Sequence, residues 1–73
     1  MSEPLKVDGF DKAIVGEEYS SGRLVYSAER MIKILMNRDG MSFEEALEFI
    51  EYNILGAYVG EMTPIYIYDI VEF

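Results

Sequence analysis

The sequence predicts a small α+β domain in which two helices pack on a three-stranded sheet, in the order β-β-α-α-β. Three observations carry that expectation. Two stretches with helical spacing of apolar residues occupy the middle of the chain, each opening on a serine suited to cap it. Short β-branched segments around a Ser-Ser-Gly turn precede them. A strict Ile/Tyr alternation follows them.

Residues 1–9 hold Pro4, Asp8 and Gly9 among few apolar positions and read as a flexible N-terminal arm, leaving 10–73 as a single compact domain. Residues 12–19 read as a first strand centred on Ile14 and Val15. Ser20, Ser21 and Gly22 supply the turn, and residues 23–26 form the second strand of a hairpin.

Ser27 stands as the N-cap of the first helix, where its hydroxyl accepts from a free amide of the first turn. Ala28, Met31, Ile32 and Leu35 then recur at i, i+3, i+4 and i+7, one helical face. Glu29, Arg30, Lys33 and Asn37 occupy the other, with Glu29 and Lys33 a favourably oriented i,i+4 pair. Gly40 is the expected left-handed C-cap.

Ser42-Phe43-Glu44-Glu45 is a capping box, and Met41 and Ala46 stand at the staple positions around it. Glu44 and Glu45 fall in the first turn, where the helix dipole favours negative charge. The expected buried stripe is Phe43, Ala46, Leu47, Ile50, Ile54 and Ala57, with the helix running through Leu55 and breaking near Gly56 or Gly60. Pro64 marks the entry to a third strand over 65–71, paired beside strand one or strand two.

Composition sets the limits on chemistry. The 73 residues carry 14 acidic and 6 basic side chains, a net charge of −8, with 51% hydrophobic residues and no histidine or cysteine. That apolar fraction is too high for a disordered tail. Without His or Cys there is no disulfide, no zinc site of the usual kind and no Ser-His or Cys-His catalytic pair. No general acid–base couple stands out among the remaining residues, so neither an enzyme nor a cofactor is expected. The acidic balance argues against direct nucleic-acid binding through phosphates. The N-terminus lacks the apolar core of a signal peptide, and no run approaches the roughly 18 apolar residues that cross a membrane. A chain below about 70–80 residues gains only about 3–5 kcal/mol from its core, so a partner surface or homo-oligomer is expected.

Two features point to where such a partner sits. At 100° per residue, Glu44, Glu48 and Glu51 fall within about 60° of one another, an acidic stripe beside the buried face. The plainer account of the stripe is a solvated helix face; the functional one is a surface aimed at a basic partner protein. Phe49, Tyr52 and Leu55 project away from the expected core stripe, and Tyr66 and Tyr68 stand opposite Ile65 and Ile67 on the last strand. Such aromatic groups are enriched at interfaces. The segment from Gly56 to Thr63 matches no phosphate-binding or dinucleotide motif and reads as turn chemistry.

The strings Asp8-Gly9-Phe10-Asp11, Arg38-Asp39-Gly40-Met41-Ser42-Phe43-Glu44-Glu45-Ala46 and Glu51-Tyr52-Asn53-Ile54-Leu55-Gly56-Ala57-Tyr58-Val59-Gly60-Glu61, with Thr63-Pro64, resemble a group of small proteins encoded by tailed bacteriophages. The likeness covers residues 8–68. It implies a viral origin and expression in the cytoplasm of an infected bacterium, and it brings no catalytic residues. The expected function is therefore protein binding, as a host-takeover or anti-defence factor, through Glu44, Glu48, Glu51, Phe49, Tyr52, Tyr66 and Tyr68. The partner is a bacterial host protein or a second copy of the chain. The alternatives are an oligomeric binder of a nucleotide-like ligand, with the Gly56–Thr63 segment lining the pocket, and a structural virion component.

Overall fold

A β-hairpin leads into a pair of helices, and a final strand returns to the hairpin to complete a three-stranded mixed sheet. This is a computed structural model that describes residues 3–57 and 60–68. A single 3-10 turn (Asp11–Ala13) precedes β1 (Ile14–Glu17) and β2 (Leu24–Ser27). Then come α1 (Ala28–Asp39), α2 (Phe43–Ile50), a π-helical turn (Glu51–Leu55) and β3 (Ile65–Ile67). The α+β class and the element order are those the sequence predicts. The part of the predicted third strand beyond Tyr68 lies outside the described residues.

The hairpin closes where the Glu18 amide donates to the Arg23 carbonyl at 2.8 Å, with Gly22 in the left-handed region at φ +76°. β1 pairs antiparallel with β2, and a bulge at Val15 breaks the register between Ile14 and Gly16. The bulged strand bends away and leaves Val15 partly exposed. β2 is the central strand, because β3 pairs with it in parallel, Tyr26 beside Tyr66. Parallel pairing requires the chain to cross from one end of β2 to the other, and the helix pair with the segment after it makes that crossing.

Both caps form as the serines dictate. The Ser27 hydroxyl accepts from the Arg30 amide at 3.2 Å, and Gly40 ends α1 at φ +69°. Ser27 is also the last residue of β2, so strand and helix meet at one residue. The core is built from Phe10, Ala13, Tyr26, Met31, Ile32, Leu35, Ala46, Ile50 and Ile54, all buried. The N-terminal segment lies against this core: the Val7 amide donates to the Tyr26 hydroxyl at 2.9 Å, and the Leu5 amide donates to the Met62 carbonyl.

Three expectations are corrected. Phe43 stands at the first position of α2 and is 54% exposed, outside the buried stripe. A residue in the first turn of a helix shares the core face by angle, yet it overhangs the end of the layer it packs on. Ala57 is exposed as well, because the α-helical pattern ends at Ile50 and the π turn changes the angular step before it. Tyr66 faces inward, half-buried against Tyr26 with ring centroids 5.9 Å apart. Ile67 is 41% exposed and Ile65 is half-buried like Tyr66, so β3 does not set its tyrosines outside and its isoleucines inside as expected. Adjacent strands share a face at paired positions, and Tyr26 is fully buried, so its neighbour Tyr66 is drawn inward too.

Candidate functional site

The second helix carries the acidic stripe, and its first turn shows how the carboxylates divide their roles. The Ser42 amide donates to Glu45 Oε1 at 2.9 Å and the Glu45 amide donates to Ser42 Oγ at 3.1 Å, a complete capping box. Hydrogen bonds from Ser42, the backbone amide first and the hydroxyl second, hold the Glu45 carboxyl below the usual glutamate range. Glu45 is therefore committed to the helix end. Glu44, Glu48 and Glu51 are exposed and have no ion-pair or hydrogen-bond partner among the described residues, which leaves them available to a visitor.

The Glu45 assignment makes a pH-dependent prediction. A carboxyl whose pKa is lowered by folding stabilises the fold above the unfolded value, and that contribution is lost as pH falls through the folded value. Urea titrations should show Glu45→Gln less stable than the parent at pH 7, with the deficit shrinking as pH falls through and below the ordinary glutamate range. A deficit that persists undiminished in acid would remove the charge-assisted cap from the account.

Beyond Ile50 the helix widens into the π turn, where the Asn53 side-chain amide donates to the Phe49 carbonyl at 3.1 Å. That bond satisfies a backbone acceptor which the change of helical pitch disturbs. Tyr52 on this turn is 83% exposed, whereas Phe49 is only 37% exposed. Ile54 points inward and is buried.

The expected site residues do not form one patch. Glu44, Glu48, Glu51 and Tyr52 share the outer side of α2 and the π turn. Tyr66 belongs to the core beside Tyr26. Burial raises the Tyr66 phenol above its ordinary pKa, and the neighbouring Tyr26 adds to the rise. Tyr68, 68% exposed, stands over a groove of about 360 Å³ between α1 and α2. Glu29, Ile32, Lys33, Met36, Phe43 and Leu47 line that groove with it. A smaller hollow of about 100 Å³ also draws on Ile32, Leu47 and Tyr68, and it brings in Leu55 and Glu51. The acidic stripe reaches the apolar floor at Glu51, which lines the smaller hollow with Leu55.

Sequence reasoning missed Phe43 and Met36 as groove residues. The signal for Phe43 was present: a bulky apolar residue directly after an N-cap serine sits at a helix end. Met36 had none, because it lies outside the i, i+3, i+4 stripe and is polarisable filler in many settings. Thr63, in the segment from Gly56, is buried, and its hydroxyl donates to the Gly60 carbonyl at 2.6 Å, a turn that packs against the Arg23 guanidinium. Tyr58 and Val59 of that segment lie outside the described residues.

Among the described residues no three acidic side chains gather closely enough to hold a metal ion, and no helix is long and apolar enough to cross a membrane. Comparison with protein-family models, with curated proteins and with solved structures gives no match.

Proposed function

We propose that this protein is a non-enzymatic binding module whose working face is the groove under Tyr68 together with the carboxylates of Glu44, Glu48 and Glu51. The observation that carries the reading is a groove open to solvent between α1 and α2, floored by Ile32, Met36, Phe43 and Leu47, on a protein whose α2 and following turn also present Glu44, Glu48 and Glu51, exposed and without a partner among the described residues. Apolar anchors with a charged rim are the anatomy of protein interfaces, and the rim sets the sign of the partner. The partner is a protein that offers an apolar side chain flanked by lysine or arginine. The resemblance to tailed-phage proteins supports a bacterial host protein as that partner, met in the cytoplasm of the infected cell. The absence of histidine and cysteine from the chain supports a binding role over a catalytic one.

The test compares four baits in a bacterial lysate at physiological salt: the parent, Glu48→Lys/Glu51→Lys, Phe43→Ser/Tyr68→Ser, and Glu17→Lys on β1 as the control. One basic protein should be retained by the parent and the control, and its capture should fall at least about tenfold for the other two, a loss near 1.4 kcal/mol. The same proteins recovered by all four baits would overturn the proposal. Self-association is a second reading, favoured by the exposed Val15 and Ile67 on the hairpin and β3. Sedimentation of the purified chain tests it, with a monomer mass at about 100 μM ruling it out for any Kd tighter than that.

A further inference from the structure

The net charge of −8 conceals a local reversal. A groove of about 600 Å³ runs between the segment around Gly9 and the C-terminal half of α1. Lys12, Lys33 and Arg38 line it with Ile34, Asn37 and Asp11. Half of the chain's six cations therefore converge on one concavity of an acidic protein. Asp11, the one acid in the lining, is met by Lys6 at 3.8 Å. Lys12 has no partner among the described residues, and Lys33 meets Glu29 only at 3.6 Å with both side chains largely exposed, a pairing too weak to hold the amine in place.

Arg38 is fixed where Lys12 is free. Its Nη1 donates to the Gly9 carbonyl at 2.7 Å, its Nε and Nη2 donate to the Asp39 carboxylate at 3.0 and 3.1 Å, and its guanidinium lies 5.3 Å from the Phe10 ring centre. Those bonds use three of its five N–H groups, and two remain for a ligand. Gly9 keeps this arrangement possible: it sits at φ +85°, and a Cβ there would come within 3.0 Å of Arg38 Nη1. The groove therefore combines a positioned guanidinium, an adaptable amine and the Asn37 amide around the aliphatic stems of the lysines and Ile34. Its volume is in the range of small-molecule sites, roughly 300–1,000 Å³.

We propose that this groove binds a small phosphorylated molecule, with the phosphate held by Lys12, Lys33 and Arg38 and an apolar body resting on Ile34. Phosphate matches the donors better than a carboxylate does, because three cations and two spare guanidinium N–H groups suit a dianion with three acceptor oxygens. The site shares Lys33 with the lining of the α1–α2 groove of the preceding proposal, whereas Lys12, Asn37 and Arg38 line this groove and not that one.

Titration of the isotope-labelled protein, followed through its amide NMR resonances, tests the proposal with adenosine monophosphate, inorganic phosphate and adenosine as probes. Adenosine monophosphate should give saturable shifts at Gly9, Lys12 and residues 33–38, tighter than inorganic phosphate, and adenosine should give none. Lys12→Gln/Lys33→Gln should weaken the nucleotide at least about tenfold while keeping a dispersed spectrum, since both side chains are exposed. Glu48→Lys should leave the affinity within about twofold. No saturable shift with either phosphate up to about 10 mM, or shifts that the double lysine variant leaves unchanged, would overturn it.

Discussion

Tyr26→Ala should leave the chain largely unfolded at 25 °C, with no cooperative urea transition. Tyr26 is the bulkiest of the fully buried side chains. It sits on the central strand, packs its ring on Tyr66 at a tilt of 35°, and takes the Val7 amide on its hydroxyl. Truncating a buried aromatic costs about 3–5 kcal/mol, as much as the core of so short a chain supplies. The hydroxyl contributes separately. Tyr26→Phe keeps the ring but deprives the Val7 amide of its acceptor, so it should fold with a deficit of about 1–3 kcal/mol. A Tyr26→Ala protein that melts cooperatively within about 5 °C of the parent would show that the core does not depend on this residue.

Two neighbours on α2 should behave oppositely. Ile50 is 1% exposed at the point where the α-helix gives way to the π turn, and Ile50→Ala should cost about 2–5 kcal/mol in a urea titration. Phe49, one residue earlier, lies at the margin of the surface, and Phe49→Ala should cost less than half as much despite removing more carbon atoms. The contrast isolates burial from size, because both changes leave alanine in the same helix. Equal losses at the two positions would mean that Phe49 is part of the core and would remove it from the candidate surface.

The sequence announced the helices more clearly than the sheet, for a physical reason. Ser27, Gly40 and the Ser42–Glu45 box act within one turn of themselves, so their roles are readable from spacing alone. The face that β3 turns inward is decided by Tyr26 on a strand about 40 residues away. Alternation in residues 65–68 shows that two faces exist and carries no mark of which one is buried. The expectation set Tyr66 with Tyr68 on the outer face, and pairing with the buried Tyr26 draws Tyr66 inward. Strand order was invisible for the same reason, since it depends on where the whole crossover lands.

The candidate site divides along the same line. The acidic stripe follows from helical angle, and Glu44, Glu48 and Glu51 are all exposed. The groove beside it needs Met36 from α1, Phe43 from α2 and Tyr68 after β3, three residues with no shared local pattern. The cationic groove is less legible still. Lys12, Lys33 and Arg38 look like scattered solubilising charges until the 3-10 turn and the outer flank of α1 are laid side by side.

The central position of β2 has a consequence for how the protein is made. A growing chain completes β2 at Ser27 and begins its parallel neighbour only at Ile65, 38 residues later. At a synthesis rate of about 5–20 residues per second, that edge stays unpaired for about 2–8 s. During this interval the nascent hairpin displays an open row of backbone donors and acceptors, the configuration that recruits stray strands. The bulge at Val15 twists the opposite edge of the hairpin, which leaves the β2 edge as the one open to regular strand pairing until β3 arrives.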